Sequence, residues 1–170
     1  MSQRVLIVGV SESGKTTLAN RLIAESPYPV YIRDPLGSEW SRDDGRFETE
    51  HELRAFVQNA QSPCVAVIDE ANDFFTRSTP ENAWIFTRGR HFGILPIAIT
   101  HYVKMIVPVV RDQATDLYVF ESSIQTADLL AEMYNQPGLC DAPSLKQGEY
   151  MHVRRVDRER VLTRHDEFIS

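Results

Sequence analysis

Apolar residues in this chain fall into short runs that alternate with segments of helical periodicity. Between the runs, apolar residues recur every three or four positions in the stretches that begin at Thr17, Thr49 and Ser122. Strands that alternate with helices predict an α/β fold whose mainly parallel sheet is covered by helices on both faces. The runs, which are rich in β-branched residues as buried strands are, span residues 4–8, 29–33, 64–68, 94–100 and 116–120.

Local signals predict where two of the helices begin and end. Thr49 and Glu52 form a capping-box pattern ahead of an apolar stripe, and that helix is expected to end near residue 62. Thr79 followed by Pro80 is typical of a helix start, and Gly93 of a stop. This second pair of signals predicts one continuous helix over about residues 80–92.

The remaining segments are predicted to be loops and a terminal hairpin. Residues 36–46 are polar and carry a glycine near each end, which indicates a loop. Ser122 is expected to cap the helix after the fifth strand. Residues 150–155 and 160–163 are predicted to pair as a C-terminal β-hairpin. A length of 170 residues fits a single domain.

The segment GVSESGKT at residues 9–16 fits the phosphate-loop pattern G-x-x-x-x-G-K-[ST] between the first predicted strand and the first helix. Such a loop wraps a polyphosphate with backbone N–H groups, and the following helix adds its partial positive charge. Lys15 is predicted to reach the β- and γ-phosphates, and the Thr16 hydroxyl to bind Mg²⁺. Glu12 is expected to point away from the phosphates, since it is an anion. The predicted nucleotide-binding residues are Gly9, Ser11, Glu12, Ser13, Gly14, Lys15, Thr16 and Thr17.

Two acids end the third predicted strand. Asp69 and Glu70 would lie at the carboxyl edge of the sheet, where open α/β folds bind their ligands. Asp69 is predicted to hold Mg²⁺ through its water shell, and Glu70 to orient and deprotonate an attacking water. Because a kinase must keep water away from the γ-phosphate, an acid at position 70 favours hydrolysis over phosphoryl transfer to a small molecule.

Further candidates follow on the next helix and strand. Thr100 or His101, at the end of the fourth strand, could sense the γ-phosphate, and a structural role for the histidine is the alternative. Arg88 and Arg90 lie two apart on a predicted helix, so at most one faces a given target. One of them could stabilise transition-state charge at a neighbouring subunit's nucleotide, whereas a surface salt bridge would account for the other.

The composition of the chain limits the kinds of partner and cellular location that it can have. A formal net charge of −6 argues against coating nucleic acid by bulk electrostatics. Five arginines nevertheless lie between His152 and His165, as a basic contact segment or a solvated hairpin surface. No apolar run approaches 18 residues and no basic leader is present, so neither a membrane span nor a secretory signal is expected. Cys64 and Cys140 lack disulfide or metal spacing, which fits a reducing cytosol.

The order of these motifs resembles the FtsK–HerA superfamily of DNA-pumping ATPases, most of all the small genome-packaging ATPases of membrane-containing and other double-jelly-roll viruses. The resemblance covers about residues 3–135. Besides the phosphate loop and the two acids, it includes RHFGI at residues 90–94 and VPVVR at residues 107–111. It implies one RecA-like P-loop ATPase domain over residues 1–170, with a motor core over about 3–135 and an extension from about 136.

The same resemblance implies cofactors and partners. ATP and Mg²⁺ would be the cofactors, double-stranded DNA the substrate, and a homo-oligomeric ring of five or six subunits the active form. A capsid-vertex, portal or membrane protein is a further candidate partner. The expected location is the host cytoplasm or the packaging vertex of the virion.

Some candidate residues of this chain match the family's pattern, and His101 departs from it. The family's arginine finger maps best to Arg90, with Arg88 and Arg111 as fallbacks. The family usually has glutamine where this chain has His101, so the sensor role is an open question. The residues expected to contact DNA are Lys104 and Arg111 in the loop of residues 102–114 and Arg154 and Arg155 in the hairpin.

The leading interpretation is an ATP-hydrolysing motor that translocates double-stranded DNA and packages a viral genome into a capsid. One alternative is a P-loop kinase of a nucleotide or small molecule, with residues 154–164 as its arginine-rich lid. Another is a nucleotide-dependent phage morphogenesis or assembly protein. A ring formed with nucleotide, and ATPase activity stimulated by duplex DNA, would distinguish the motor from both.

Overall fold

The computed structural model describes residues 3–59, 63–156 and 159–166, and its strands form one eight-stranded sheet. The strand order is β3-β2-β4-β5-β1-β6-β7-β8. The strands are β1 (Val5–Val8), β2 (Val30–Arg33), β3 (Gly45–Arg46), β4 (Cys64–Ile68), β5 (Ile94–Thr100), β6 (Asp116–Val119), β7 (Tyr150–Val156) and β8 (Glu159–His165).

The sheet is parallel from β3 to β6, and β7 and β8 extend it as an antiparallel hairpin. Strand β5 lies between β1 and β4, so the strand before the phosphate loop and the strand before the two acids are not neighbours. Val8 pairs with Thr100, and Ile68 with Ala98. The carboxyl ends of β1, β4 and β5 therefore meet at one edge of the sheet, as predicted. The hairpin turn at residues 157 and 158 lies outside the described residues.

Helices cover both faces of the sheet, which confirms the predicted fold class. Val5 and Ile7 of β1 pack in a cluster with α1, whereas Leu6 and Val8 pack in a second cluster with the other helices. Because both faces are buried, the strands read as continuous apolar runs. The helices are α1 (Lys15–Ala24), α2 (Glu50–Asn59), α3 (Ala71–Phe74), α4 (Trp84–Thr87), α5 (Pro108–Gln113) and α6 (Ile124–Tyr134).

Two predicted helix caps have different outcomes. Thr49 and Glu52 form the predicted capping box at α2, each backbone N–H donating to the other's side chain at 3.3 Å. The predicted end of that helix near residue 62 lies outside the described residues. The prediction for α6 was wrong by one position, because Ser123 caps it by accepting from the Thr126 N–H at 3.2 Å. Ser122 is buried instead.

The continuous helix predicted over residues 80–92 was wrong. The segment is a 3₁₀ turn (Pro80–Ala83), the single turn α4 and a second 3₁₀ turn (Gly89–Phe92). The Arg88 backbone, with φ of −123° and ψ of −13°, leaves the α-helical region and so ends α4. Trp84, Ile85 and Phe86 within that turn are all buried. Thr79 donates its hydroxyl to the Phe74 carbonyl at 2.9 Å rather than capping the segment. Gly93 does end it, in the left-handed conformation with φ of 71°.

Two predicted loops contain short elements. Residues 36–46 end in β3, and residues 102–114 contain a 3₁₀ turn (Val103–Met105) and α5. These elements are two, three and six residues long, too short for the spacing of their apolar residues to indicate a strand or a helix. Within the described residues, no helix has the length and apolar character needed to cross a membrane.

Candidate nucleotide-binding site

The phosphate loop follows β1 and turns tightly into α1. A Cβ on Gly9 would lie 2.7 Å from the Phe120 Cβ and 2.8 Å from the Ser13 Oγ, so the close approach requires glycine. The Ser13 hydroxyl donates to the Val10 carbonyl at 2.8 Å and closes the loop. Gly14 leads into α1 with φ of 114°. The loop thus has the compact shape that lets backbone N–H groups surround a phosphate.

Lys15 is buried at the first position of α1. Its Nζ donates to the Val10 carbonyl at 2.5 Å and lies 3.3 Å from the His101 Nδ1. Burial lowers the pKa of Lys15 to about 8, although the nearby Asp69 and Glu70 act in the opposite direction. The ammonium group is therefore held among its predicted catalytic neighbours rather than in solvent.

Asp69 and Glu70 follow β4 at the same edge of the sheet. Burial raises the pKa of the Asp69 carboxyl, whose Oδ1 accepts the Glu70 N–H at 2.9 Å. Glu70 has φ of 48°, a left-handed conformation that costs a non-glycine residue on the order of 1 kcal/mol or more. The Arg33 Nη1 donates to the Asp69 carbonyl at 3.1 Å and supports this bend.

His101 connects the lysine to the second acid. Its Nε2 lies 3.3 Å from the Glu70 Oε1, while its Nδ1 faces the Lys15 ammonium. Because an ammonium group can only donate, Nδ1 is the acceptor of the Lys15 contact. The structure thus brings together three residues that the sequence predicts to be catalytic, namely Lys15, Glu70 and His101.

Thr100, the other sensor candidate, does not face the cleft. It is fully buried, its hydroxyl donates to the Asn72 Oδ1 at 3.0 Å, and it accepts the Tyr102 N–H at 3.0 Å. Its hydrogen-bonding groups are therefore used within the fold. Of the two neighbouring candidates, His101 is the one that lines the site.

The cleft at this edge has a volume of about 460 Å³, within the range of small-molecule sites. Three residues that the sequence did not indicate line it: Leu36 and Ser38 from the loop after β2, and Gln147 from the loop before β7. No motif marks them, because only the tertiary fold brings these loops to the phosphate loop. The predicted residues that line the cleft are Ser11, Glu12, Gly14, Lys15, Thr16, Thr17, Asp69, Glu70 and His101.

Thr16 and Asp69 line the same cleft and suit Mg²⁺. Among the described residues, no group of three or more His, Cys, Asp or Glu side chains could hold a metal ion. A site with one hydroxyl and one carboxylate matches Mg²⁺ in nucleotide-binding proteins, because the ion keeps several waters and takes further oxygens from phosphates. When bound, Mg²⁺ would neutralise phosphate charge.

Arg90, the first arginine-finger candidate, lies at the opposite edge of the sheet. It precedes β5, whose seven residues span roughly 20 Å before His101. Burial lowers the pKa of Arg4, and repulsion from Arg90 and Arg155 lowers it further, so these three cations share the amino edge. Arg88 and Arg90 are both exposed. The prediction that at most one of them faces a given target assumed a continuous helix, which this segment does not form.

The four residues expected to contact DNA do not form one surface. Lys104 is exposed in the turn that follows β5, at the carboxyl edge. Arg154 pairs with Asp116 at the amino end of β6, and Arg155 donates its backbone N–H to the Thr115 carbonyl at 3.0 Å. Arg111 lies in α5, and its buried Nε has no hydrogen-bond partner among the described residues.

This strand order, with a strand inserted between the phosphate-loop strand and the acidic strand, and the cleft at its carboxyl edge define a P-loop NTPase. The chain belongs to the ATPase family associated with various cellular activities (AAA), whose model matches residues 5–120. Membership in this family makes it a nucleotide-binding and nucleotide-hydrolysing protein. No curated protein sequence matches the chain at a stringent threshold.

Solved structures confirm the resemblance stated above at the level of the fold. The genome packaging NTPase B204 of Sulfolobus turreted icosahedral virus 2, in complex with AMPPCP, matches with a TM-score of 0.80 and 18% identity, over 99% of each chain. B204 of Sulfolobus turreted icosahedral virus, the DNA-packaging ATPase, gives 0.75 and 19%, over 99% of this chain and 100% of that one. The N-terminal domain of zonular occludens toxin from Neisseria meningitidis gives 0.58 and 16%, over 99% and 96%.

Proposed function

We propose that this chain is a Mg²⁺-dependent ATPase that translocates double-stranded DNA and packages a viral genome. The observation that carries the proposal is the cleft in which His101 lies between Lys15 Nζ and Glu70 Oε1, each at 3.3 Å. The placement of a carboxylate beside the phosphate-binding lysine favours hydrolysis. The matched neighbours are described as genome packaging or DNA-packaging enzymes, and nearly the whole length of each has a counterpart here.

Each group of residues in the cleft would have a separate role in ATP hydrolysis. The phosphate loop and Lys15 would bind the polyphosphate and stabilise the charge that develops on its oxygens. Thr16 and Asp69 would hold Mg²⁺. The Glu70 carboxylate would accept a proton from a water as the water oxygen bonds to the γ-phosphorus and the bond to the bridging oxygen breaks. ADP and inorganic phosphate would be the products.

ATP turnover by two variants tests the hydrolytic part of the proposal. Lys15→Ala should lose nucleotide binding and turnover together, because its ammonium group contacts the phosphates. Glu70→Gln should bind ATP yet turn over about 100-fold more slowly or worse, because it lacks the base. Glu132→Gln, at an exposed position on α6, is the matched control and should resemble the wild type. Wild-type turnover by Glu70→Gln would overturn the assignment of the base.

Duplex DNA tests the translocase part. We expect DNA to stimulate turnover and to bind with an affinity that falls steeply with salt, by a slope of about 0.9 for each phosphate neutralised. Lys104→Ala or Arg154→Ala should reduce that slope. Arg42→Ala is the control, because Arg42 is already paired with Asp44 at 3.2 Å. If neither variant changes DNA binding or its slope, the DNA contacts are assigned wrongly.

The oligomeric state of the active protein distinguishes a DNA motor from a kinase. We propose a homo-oligomeric ring of five or six subunits, located in the host cytoplasm or at the packaging vertex beside a capsid, portal or membrane protein. The lid that a kinase requires is not formed by the arginine-rich segment, since its described residues are paired strands of the sheet and none lines the cleft. Electron microscopy with nucleotide and duplex DNA would show the ring. A monomer that transfers phosphate to a metabolite would favour the kinase.

A further inference from the structure

A turn from the C-terminal part of the chain is fixed against the phosphate loop. The Gly148 N–H donates to the Ser13 carbonyl at 3.0 Å, and the Gln147 Nε2 donates to the Glu12 carbonyl at 3.1 Å. The turn, residues 146–149, is itself closed by two hydrogen bonds between its first and last residues, at 2.9 and 3.0 Å. Two segments that lie 135 residues apart in sequence thus form one wall of the cleft.

The turn lies on the opposite side of β1 from His101 and Glu70. His101 and Glu70 follow β5 and β4, which lie on one side of β1, whereas β6 and β7 lie on the other. Residues 146–149 lead directly into β7. A triphosphate whose γ end lies beside Glu70 has its nucleoside at the opposite end. The nucleoside therefore extends toward the wall that contains Gln147.

Gln147 has hydrogen-bonding capacity left for a ligand. A carboxamide offers two N–H donors and one oxygen acceptor, and among the described residues only one donor is used, on the Glu12 carbonyl. The residue is exposed, and the cleft includes it. Sugar hydroxyls and base edges present mixed donors and acceptors, which a neutral amide matches. A polyphosphate presents only anionic acceptors, which cations and backbone amides bind better.

We propose that Gln147 binds the nucleoside of the substrate, so that it distinguishes a nucleotide from a bare polyphosphate. This inference rests on the proposed function, because it takes the γ-phosphate to lie beside Glu70. It assigns the C-terminal extension a direct part in substrate recognition. The competing role for Gln147 is purely structural, as a brace that holds the Glu12 carbonyl.

Two ligands separate these roles in the full-length chain. Calorimetry would compare a non-hydrolysable ATP analogue with inorganic tripolyphosphate, both with Mg²⁺, in the wild type and in Gln147→Ala. We expect the variant to bind the analogue about 10-fold more weakly, as loss of about one net hydrogen bond implies, and tripolyphosphate within about twofold of the wild type. Gln58→Ala, an equal truncation at an exposed position of α2, should change neither affinity.

Each other outcome overturns the inference. An equal loss for both ligands would show that Gln147 acts only by bracing the phosphate loop. Unchanged affinity for the analogue would show that the nucleoside lies elsewhere. Failure of the wild type to bind either ligand would instead refute the proposed function. Since Gln147 is exposed, Gln147→Ala should fold normally, and its circular dichroism spectrum checks this.

Discussion

His101 contacts two neighbours, each through a different ring nitrogen. One ring nitrogen faces the Lys15 ammonium and the other faces the Glu70 carboxylate, each at 3.3 Å. A glutamine side chain likewise carries one acceptor and one donor, on two atoms bonded to the same carbon. A glutamine at this position could therefore reach the same two neighbours, and we propose that His101 acts as a positioning residue.

Substitution of His101 distinguishes this role from a structural one. His101→Gln should keep turnover within about fivefold of the wild type, because both contacts survive. His101→Leu fills similar space without polar atoms, and its kcat should fall about 10- to 100-fold while KM changes little, since Glu70 is no longer held in place. Steady-state kinetics of both variants measures this. Equal activity of the two would show that only the volume of His101 matters.

How far single residues can be predicted depends on where their partners lie in the sequence. Lys15 and Thr16 follow from the spacing of one octapeptide, and Glu70 follows from its place after an apolar run. The octapeptide lies between its own strand and helix, so its position in the fold can be predicted from the local sequence. Gln147 has its partner 135 residues away, and no pattern in its own neighbourhood indicates that contact.

At the scale of elements, a hydrogen bond to the buried Asp116 carboxylate joins the parallel sheet to the hairpin. Asp116 at the start of β6 accepts from the His152 Nε2 of β7 at 3.0 Å, and the His152 ring stacks on Tyr118 with centroids 4.1 Å apart. Burial alone would raise the pKa of the Asp116 carboxyl. Hydrogen bonds from His152 and Thr115 outweigh burial, however, and hold that pKa below its usual value.

The lowered pKa of Asp116 gives stability a definite dependence on pH. Stabilisation by this carboxylate is fully present above its unfolded pKa of about 3.9 and is lost as pH falls through the lower, folded value. Asp116→Asn should therefore reduce the free energy of unfolding at pH 7 by about 1 kcal/mol, since a charge-assisted hydrogen bond becomes a neutral one. Urea unfolding measures this difference, which should shrink as pH falls below about 4.

A matched variant checks that the pH dependence of stability comes from the Asp116–His152 pair. Asp112→Asn removes a carboxylate from an exposed position of α5, so its stability should track the wild type across the same pH range. A constant difference between Asp116→Asn and the wild type at every pH would contradict the pKa assignment. It would indicate that packing, rather than charge, is what the substitution changes.

Elements differ in how well sequence predicts them. Strands β1, β4, β5 and β6 are buried along almost their whole length, so each is a short, mostly apolar run that sequence shows directly. The two-residue strand β3 is no such run, and it lies in a segment that was predicted to be a loop. Residues 80–92 carry the start and stop residues typical of a helix, yet the Thr79 hydroxyl donates to the Phe74 carbonyl instead of capping the segment, and the Arg88 backbone leaves the helical region. Neither feature is visible in the local signals, and the segment forms three short turns.

At the scale of the whole molecule, charge is divided between the two edges of the sheet. The cleft with its two acids occupies the carboxyl edge, while Arg90 and Arg155 at the amino edge lie close enough to Arg4 to lower its pKa by repulsion. Arg90 lies roughly 20 Å from the end of β5 and cannot reach the phosphates of its own subunit. In a ring, heterologous contacts place unlike faces of neighbouring subunits together, so Arg90 could act only on a neighbour's nucleotide.

Mixing two inactive variants tests action between subunits. Lys15→Ala lacks a working cleft but keeps Arg90, whereas Arg90→Ala keeps the cleft but lacks the arginine, so each alone should hydrolyse ATP poorly. In a randomly assembled equal mixture, about a quarter of the sites would combine an intact cleft with a neighbour's Arg90. Turnover should therefore recover to about that fraction of the wild type. An active Arg90→Ala ring would transfer the role to Arg88 or Arg111, and a mixture that stays inactive would exclude Arg90 from acting between subunits.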